Sequence, residues 1–392
     1  MQAVILCAGK STRTHPLTVT RPKALLPLAN RPLLSHQLEA LHGIVKEAII
    51  IVGYQADMIR KRYGYNYGNI KLTFIEQKEQ LGTGHALLQA RSLLKKKFIV
   101  LYGDDLYSRS DLKKVSKTKW GILVNPVEDP TRFGIVLIKD GYAKKIVEKP
   151  TKFIGKLANA GAFVFEPSVF EGEITKSPRG EFEITDMFNY AAQKQNITPV
   201  PIKEGWIPIA YPWDVLNANM FLLKQMKGQK IKGTVEKYVN IKGSVKIGYG
   251  SLIKSGTYIE GPVVIGENCE IGPNAYLRPY TSIGDKCKIR AEIYDSVLMD
   301  GVVAKHESYI GHSVIGEKSN IAAGTITADY RHDGDMNVTL IKGKKVNSYR
   351  KKLGAFLGDN VRTGINSCIY PGRMIWPDRS ILPGEVVKNN VE

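Results

Sequence analysis

The sequence has few cysteines and no long apolar run. Its 392 residues include four cysteines, at positions 7, 269, 287 and 368, and no pair has the two-residue spacing of a metal-binding knuckle. This pattern excludes a zinc finger and a disulfide framework, and it favours a reducing, cytoplasmic compartment. No stretch of 18 apolar residues occurs, so no transmembrane helix is predicted. The first apolar run, residues 3–8, lacks a preceding basic segment, and we interpret it as a buried strand rather than a signal peptide.

The sequence also contains fewer acidic than basic residues. Lys and Arg together number 56 and Asp and Glu together 37, which leaves a net charge of +19. Such an excess favours anionic partners. A protein that binds nucleic acid or an anionic surface is one hypothesis, but no basic stretch is interleaved with aromatic residues and no helix-turn-helix or RNA-recognition signature is present. We therefore predict small polyanionic substrates, with neither nucleic acid nor membrane as a partner.

Residues 1–228 alternate short β-branched runs with helical patterns. Strands are predicted at 4–6, 48–52, 72–75 and 98–101, and helices at 33–41, 55–63, 85–94 and 213–226. The alternation predicts an α/β domain with a doubly wound, Rossmann-like and largely parallel sheet. The ligand of such a domain should lie at the carboxyl ends of its strands.

Residues 229–392 follow a period of six instead. Every sixth residue from Val235 to Ile289 is aliphatic. A unit of six residues with one large and one small inward position forms one face of a triangular coil, so three units close a turn of about 18 residues. This second domain is predicted to be a parallel β-helix of hexapeptide repeats, whereas the alternative, a β-sandwich, would show period-two alternation. Cys269 and Cys287 should stack in adjacent coils, either as small buried thiols, which we prefer, or as a disulfide.

A glycine-bearing turn follows the first predicted strand. Residues 6–13 read Leu-Cys-Ala-Gly-Lys-Ser-Thr-Arg, and Arg-Pro-Lys follows at 21–23. Such a turn exposes backbone N–H groups to a phosphate, while Arg13 and Lys23 add positive charge. With further segments in the same order, the turn resembles the sugar-1-phosphate nucleotidylyltransferases. Those segments lie at 76–77, 80–86, 102–105, 148–150, 159–161, 180–186 and 213–214.

The resemblance implies a role for each matching residue. The residues implied to contact the nucleotide are Ala8, Gly9, Gln77, Gly82 and Thr83. The catalytic residues, which would neutralise the developing negative charge, are Arg13 and Lys23. The implied ligands of Mg²⁺ are Asp104 and Asp214. The residues implied to bind the sugar phosphate are Gly134, Glu148, Lys149 and Asn159. The sequence at 80–86 is similar to the uridylyltransferase version, which favours UTP and leaves dTTP as the alternative.

The chemistry agrees with these implied roles. A sugar-1-phosphate oxygen attacks the α-phosphorus in line and pyrophosphate leaves, so the protein supplies alignment and charge neutralisation rather than a nucleophile. Two carboxylates on one Mg²⁺ are a usual arrangement for a hard cation. One position departs from the family pattern, because Ser11 stands where the family has a second glycine. If that position needs a positive φ, Ser11 is strained by about 1 kcal/mol or more.

The second half resembles the acetyltransferase half of the bifunctional enzymes that acetylate glucosamine-1-phosphate and then uridylylate the product. The resemblance implies a left-handed β-helix, acetyl-CoA as co-substrate and His306 as the catalytic base, since imidazole suits proton transfer near neutral pH. The residues implied to contact the amino-sugar phosphate are Arg278, Tyr309 and Asn320. The hexapeptide frame breaks between residues 291 and 313, and interrupted repeats often mark a working face.

Two positions and one long loop depart from that pattern. Tyr294 stands where the family has Lys, and Asp329 stands where it has Asn, which predicts a changed amino sugar or a slower acetyl step. The repeat is lost over residues 329–352, a polar and mostly basic segment. Because loops of this length are usually functional or mobile, we predict that it meets CoA or a neighbouring subunit, with a solvated basic loop as the alternative.

A bifunctional enzyme is the leading hypothesis. It would transfer a uridylyl or thymidylyl group to a hexosamine-1-phosphate in its first half and acetylate an amino-sugar-1-phosphate in its second half. The alternative keeps the first activity and treats the β-helix as a structural, oligomerising module. The resemblance also implies a homotrimer or a multiple of trimers.

Overall fold

The computed structural model describes residues 1–177 and 180–392, and the chain forms two compact units. The first unit comprises Met1–Lys10, Pro22–Leu25 and Leu33–Pro208. The second unit comprises Ser11–Arg21, Leu26–Pro32 and Ile209–Glu392. The domain boundary at residue 228 stays a prediction from the sequence.

A ten-stranded sheet forms the first unit. Its central strands are parallel neighbours, in the order Phe98–Tyr102, Gln2–Leu6, Glu47–Val52 and Ile70–Glu76. Leu6 aligns with both Ile51 and Tyr102, so the carboxyl ends of these strands lie at one edge. Alternate side chains enter opposite faces, which places Ile5 in one core cluster and Val4 in another. The doubly wound α/β architecture predicted from the sequence is confirmed.

The sheet is mixed where the sequence predicts a largely parallel one. Strand Leu157–Phe165 runs antiparallel to its neighbour Phe98–Tyr102. Strands Gly134–Lys139 and Tyr142–Glu148 form an antiparallel hairpin. The two residues between them are Asp and Gly, both at positive φ, and this dipeptide is a strong hairpin signal that could have been recognised in the sequence. The remaining strands of the first unit are Asn66–Tyr67, Asp105–Tyr107, Gly121–Pro126, Thr198–Pro201 and Trp206–Pro208.

The helices agree with the sequence more closely in position than in length. The helices of the first unit are Leu33–Leu41, Ala56–Tyr63, Thr83–Leu88, Arg109–Val115 and Ile184–Lys194. The predicted helix at 85–94 is divided into an α-helix and a 3₁₀ turn. The 3₁₀ turns of the chain are Thr12–Thr14, Lys23–Leu25, Arg91–Leu93, Pro130–Arg132 and Pro167–Glu171. Within the described ranges 1–177 and 180–392, none of the helices has the length and apolar character that a bilayer crossing requires.

A parallel β-helix dominates the second unit. The first of its three sheets contains Gln229–Ile231, Val245–Ile247, Val263–Ile265, Thr281–Ile283, Val297–Leu298, Val314–Ile315, Phe356–Leu357 and Met374–Ile375. The second contains Thr234–Val235, Leu252–Ile253, Glu270–Ile271, Lys288–Ile289 and Val303–Ala304. The third contains Asn240–Lys242, Tyr258–Glu260, Tyr276–Leu277, Glu292–Tyr294, Tyr309–Gly311, Ile326–Thr327, Cys368–Ile369 and Val386–Val387. The unit also contains the short strands Pro27–Leu28 and Arg31–Pro32 and the helix Asp214–Lys224.

The six-residue period is confirmed as the inward face of this β-helix. Ile247 pairs with Ile265 and Ile265 with Ile283, one coil of 18 residues apart, and all three are buried. Cys269 and Cys287 are buried and free, and each thiol donates to a carbonyl, Gly284 O at 3.0 Å and Met299 O at 3.2 Å respectively. This arrangement agrees with the interpretation as small buried thiols.

The long interruption of the repeat is not simply a loop. Residues 329–352 contain an antiparallel hairpin, Val338–Ile341 with Lys344–Asn347. A Lys-Gly turn at 342–343, both residues at positive φ, joins the two strands. Sequence analysis missed the hairpin because its strands are only four residues long each.

Substitution of one inward aliphatic should test the packing of the β-helix. We expect Ile247→Ala to lower the free energy of unfolding by about 2–5 kcal/mol, because a buried side chain is lost and a cavity remains. The neighbouring Lys246 is exposed on the same strand, so Lys246→Ala is the matched control and should change stability by less than about 0.5 kcal/mol. Urea unfolding of both variants measures the difference, and equal midpoints would contradict the assigned inward face.

Candidate functional site

The glycine turn lies at the carboxyl edge of the sheet in the first unit. It follows strand Gln2–Leu6, and Ala8 O accepts a hydrogen bond from Tyr54 N at 3.1 Å. A Cβ added to Gly9 would find no described atom within 4 Å beyond its chain neighbours. Gly103, after strand Phe98–Tyr102, lies so close that an added Cβ would be 2.4 Å from Leu6 O. The sheet therefore brings the turn and the segment that begins at residue 103 together, as its topology predicts.

Ser11, which begins the next part of the turn, adopts the left-handed conformation with a φ of 52°. Its carbonyl accepts hydrogen bonds from Thr14 Oγ1 at 2.7 Å and Thr18 Oγ1 at 3.0 Å. These bonds hold a backbone geometry that glycine adopts more readily. The position thus has the positive φ on which the prediction of strain at Ser11 depended.

The residues implied to contact the nucleotide base form one group. Gln77 is 3% exposed, and its side chain donates to Gly82 O at 3.1 Å. Gly82 has a φ of 107°, and an added Cβ would lie 2.5 Å from Phe182 O. Thr83 Oγ1 accepts from Ile184 N at 3.1 Å. The structure therefore brings Gln77, Gly82 and Thr83 together. The backbone at Gly82 packs closely against the backbone of Phe182.

Asp104 and Lys23 form an ion pair at the same edge. Lys23 Nζ lies 3.1 Å from Asp104 Oδ2. The lysine side chain is 8% exposed and the aspartate side chain 42% exposed, so the carboxylate remains accessible. A buried cation beside an accessible carboxylate suits a polyanion that arrives with its own divalent metal.

Asp105, next to Asp104, has the opposite environment and was missed by sequence reasoning. It is 5% exposed and accepts from Trp206 Nε1 at 2.9 Å. Burial, together with the nearby charge of Asp104, raises the pKa of Asp105 well above its usual range. Of the two adjacent carboxyl groups, only Asp104 is therefore available as a charged ligand.

The residues implied to bind the sugar phosphate also meet. Gly134 and Glu148 are partners in the hairpin, and a Cβ on Gly134 would lie 2.8 Å from Glu148 Oε2 and 3.8 Å from Asn159 Cβ. Asn159 is 7% exposed, and its Oδ1 accepts from Gly161 N at 2.8 Å. Lys149 follows at a φ of 45°, and its N–H donates to the carbonyl of residue 133. A side chain at residue 134 would therefore crowd the Glu148 carboxylate.

Arg13 and Asp214 lie in the second unit. The Arg13 guanidinium is 5.8 Å from the centre of the Tyr211 ring. Asp214 is 8% exposed and begins the helix Asp214–Lys224, and its Oδ2 accepts from the N–H groups of residues 210 and 211 at 2.9 and 2.8 Å. Oδ1 of Asp214 lies 3.5 Å from Asn217 Nδ2, which donates to it. Within residues 1–177 and 180–392, no cluster of three or more His, Cys, Asp or Glu side chains could hold a metal, so a cation would need oxygen atoms from substrate or water as well.

The acetyl-site residues lie along the third sheet of the β-helix. Arg278 Nη1 is 2.9 Å from Glu292 Oε1, and its guanidinium lies 4.1 Å from the centre of the Tyr294 ring. Tyr309, one coil further on, donates to Asp329 Oδ2 at 2.8 Å. The two positions that depart from the family pattern, Tyr294 and Asp329, therefore contact two residues that the resemblance assigns to the site.

His306 and Asn320 stand apart from these contacts. Both are exposed, His306 on the turn between strands Val303–Ala304 and Tyr309–Gly311, and Asn320 at a bridge to residues 303 and 362. The structure thus brings together Arg278 and Tyr309, but it leaves the implied base and the third implied sugar contact facing solvent.

Comparison with known proteins decides the family. The family model for the nucleotidyl transferase domain matches residues 2–225. The chain belongs to the nucleotidyl transferase family. A second model, of the GMPPB C-terminal domain, matches residues 259–391. The resemblance identified from the sequence is therefore confirmed.

Relatives of this nucleotidyl transferase match it along its whole length. The bifunctional protein GlmU of Methanococcus maripaludis strain C7 is 41% identical over 401 residues, which covers 100% of this chain and 96% of the relative. A bifunctional sugar-1-phosphate nucleotidylyltransferase/acetyltransferase of Sulfurisphaera tokodaii is 38% identical over 401 residues, which covers 100% of this chain and 98% of the relative. A UDP-glucose pyrophosphorylase solved with UDP-glucose is 22% identical, with a TM-score of 0.53 over 57% of this chain and 98% of that one, and it shows the fold of the first half.

One buried cation of the nucleotidyl transferase was missed by sequence reasoning. Arg21 is 6% exposed and forms ion pairs of 2.5 Å with both Glu317 and Asp359, all within the second unit. Thr20 Oγ1 donates to the same Asp359 at 2.6 Å. Sequence separations of about 300 residues leave no local signal for such contacts, although a buried arginine needs acidic partners.

Proposed function

We propose that this nucleotidyl transferase catalyses two reactions. The first transfers a uridylyl or thymidylyl group from UTP or dTTP to a hexosamine-1-phosphate or its N-acetyl form and releases pyrophosphate. The second transfers an acetyl group from acetyl-CoA to the amine of an amino-sugar-1-phosphate. The pairing of the two reactions in one chain rests on the full-length similarity to relatives that are named for both activities.

In the first reaction, the protein aligns two polyanions. An oxygen of the sugar phosphate attacks the α-phosphorus, and the bond to the pyrophosphate oxygen breaks. Lys23 and Arg13 neutralise the developing negative charge, and the turn at Ala8 and Gly9 receives the phosphates. The nucleotide base is bound by Gln77, Gly82 and Thr83. The sugar phosphate is bound by Gly134, Glu148, Lys149 and Asn159.

The carboxylates of Asp104 and Asp214 fit Mg²⁺ chemically. Both present carboxylate oxygen atoms, the donor that Mg²⁺ prefers, and the Asp104 side chain is 42% exposed. When bound, Mg²⁺ offsets negative charge on the triphosphate oxygens. The protein itself contributes the fixed position of each carboxylate, Asp104 through Lys23 and Asp214 through two backbone N–H groups.

In the second reaction, the β-helix binds the amino-sugar phosphate and acetyl-CoA. Arg278 attracts the phosphate, Tyr309 and Asn320 contact the sugar, and His306 acts as the base that accepts a proton from the attacking amine. We propose further that the basic segment 329–352 meets CoA or a neighbouring subunit, and that the chain forms a homotrimer or a multiple of trimers.

A substrate panel tests this proposal. Several hexosamine-1-phosphates and their N-acetyl forms are incubated with UTP or dTTP, and separately with acetyl-CoA, while pyrophosphate and free thiol are measured. We expect pyrophosphate with UTP and an N-acetylhexosamine-1-phosphate, and thiol release with a hexosamine-1-phosphate. Pyrophosphate without thiol release for any amino sugar would favour the alternative, a β-helix with a structural and oligomerising role. Absence of both products would overturn the proposal.

A further inference from the structure

A buried chain of ionisable side chains runs across successive coils of the second unit. His312 Nδ1 lies 2.8 Å from Asp295 Oδ2, and His312 Nε2 lies 3.4 Å from Asp329 Oδ2. Tyr309 donates to the same oxygen of Asp329 at 2.8 Å. Arg350, from the segment after the hairpin, donates to Asp295 Oδ2. None of the roles assigned so far uses His312, Asp295 or Arg350.

The ring of His312 is fixed on one side and unsatisfied on the other. Its residue is 5% exposed, and the Tyr294 ring packs against it at 4.8 Å between centroids. Nε2 has no hydrogen-bond partner in the part of the chain that the structure describes, yet it faces the Asp329 carboxylate. At 3.4 Å the two atoms are too far apart for a direct hydrogen bond, so the ring presents a polar nitrogen to the carboxylate without bonding to it. The charged and titratable groups that face the ring are Asp295, Asp329, Tyr294 and Arg350.

Gly311 permits the contact between Tyr309 and Asp329. An added Cβ at this position would lie 2.4 Å from the Tyr309 hydroxyl oxygen and 2.8 Å from Asp329 Oδ2. Burial, together with the hydrogen bond to Asp329, raises the pKa of Tyr309, so the phenol remains a hydrogen-bond donor. Asp329 thus accepts a hydrogen bond from Tyr309 and lies beside the ring of His312.

The contacts also place opposite charges at the two ends of one run of side chains. Arg278 packs on Tyr294, the Tyr294 ring packs on His312, and His312 faces Asp329. A cation at one end and a carboxylate at the other suit a substrate with a phosphate and an ammonium group. An asparagine at 329, as in the family pattern, would supply hydrogen bonds but no negative charge for an ammonium.

We propose that Asp329 binds the ammonium group of the amino-sugar phosphate and accepts its first proton, with His312 as the positioning residue, which Asp295 and the Tyr294 ring hold beside the Asp329 carboxylate. This inference rests on the proposed acetyl transfer and names a residue that binds the reacting group. His306 keeps its proposed role as a base and removes the second proton of the amine.

The proton balance of this step is as follows. The ammonium donates one proton to Asp329, and the freed lone pair of the amine forms a bond with the thioester carbonyl carbon of acetyl-CoA. The carbon–sulfur bond breaks, and its electron pair leaves on the CoA thiolate. The second proton of the amine passes through His306 to that thiolate, which leaves as the thiol, while the first proton is released to solvent from Asp329.

Asp329→Asn tests the binding of the ammonium, because the amide oxygen can still accept from Tyr309 but carries no charge. Calorimetry compares glucosamine-1-phosphate with glucose-1-phosphate, which lacks the amine, while UDP-N-acetylglucosamine saturates the sugar-nucleotide site. We expect the unsubstituted protein to prefer the amino sugar by at least about tenfold, and the variant to lose that preference. In acetyl transfer, kcat/KM of the variant should rise more steeply with pH, because only the uncharged amine can bind productively.

His312→Gln tests the positioning role, with Lys246→Gln as the control, since Lys246 is exposed on the β-helix and carries none of the proposed roles. We expect His312→Gln to lower kcat for acetyl transfer about tenfold and to alter the pH profile, with little change in KM, whereas the control changes neither. Pyrophosphate release by every variant reports correct folding.

Two failures can be told apart in these experiments. Unsubstituted protein that releases no thiol with any amino sugar overturns the proposed acetyl transfer, and equal affinity for the two sugar phosphates then also overturns the role of Asp329. Active protein whose sugar preference and pH profile survive Asp329→Asn overturns this inference alone.

Discussion

Asp104→Asn should lower the rate of pyrophosphate release about 10²–10³-fold at saturating Mg²⁺, since a charged group that stabilises the transition state is lost. The amide is neutral, so it would bind a divalent cation weakly and would leave the nearly buried Lys23 without its carboxylate partner. Pyrophosphate release at a series of Mg²⁺ concentrations measures the effect. Calorimetry of UTP binding with and without Mg²⁺ gives a second readout, in which the metal-dependent part of the affinity should fall.

Asp105→Asn is the matched control for this prediction. The two aspartates are adjacent, but the buried side chain of Asp105 accepts from Trp206 and Tyr107, and an amide oxygen can accept both bonds. Because its pKa is raised by burial, Asp105 contributes little charge that the amide would remove. We expect less than a tenfold loss. An equal loss in both variants, or nearly full activity of Asp104→Asn, would show that the charge of Asp104 has no special role.

His306→Ala should abolish thiol release from acetyl-CoA and leave pyrophosphate release intact. Loss of a general base lowers a rate by about 10²–10⁴-fold, and His306 lies on an exposed turn, so the fold should tolerate the change. Both products are measured on the same preparation with an amino-sugar phosphate, acetyl-CoA and UTP.

Lys246→Ala provides the comparison for an exposed residue of the β-helix unit and should retain both activities. If His306→Ala still releases thiol at the normal rate, the base of the acetyl step is another residue. If it loses both activities, the substitution has disturbed the fold and the comparison with Lys246→Ala will show by how much.

The parts of the fold that follow from local patterns could be predicted from the sequence. Inward positions such as Ile247 and Ile265 recur at a fixed spacing because each coil repeats the same geometry. Helix Leu33–Leu41 carries an unbroken apolar face and was predicted to the residue. The antiparallel strands were missed, even though the Asp-Gly turn at 140–141 marks one hairpin.

The electrostatic contacts of the sites could not be predicted in the same way. Asp104 and Asp105 are neighbours in sequence, and only the packing of Trp206 against one of them decides which is accessible. The same holds for His312, whose contacts with Asp295 and Asp329 depend on residues that share no local pattern. A motif can imply a residue type at a position, but burial and long-range partners set its charge.

The ion pairs of Arg21 have a practical consequence for dissecting the two activities. A fragment that ends at residue 228 would retain this guanidinium and lack both Glu317 and Asp359, because these carboxylates come from much later in the chain. The lost ion pairs are those of Arg21, which lies in the segment between the glycine turn and Lys23. An isolated first half would thus carry an uncompensated charge close in sequence to Lys23, so inactivity of such a truncation would say nothing about whether acetylation is needed for nucleotide-sugar synthesis.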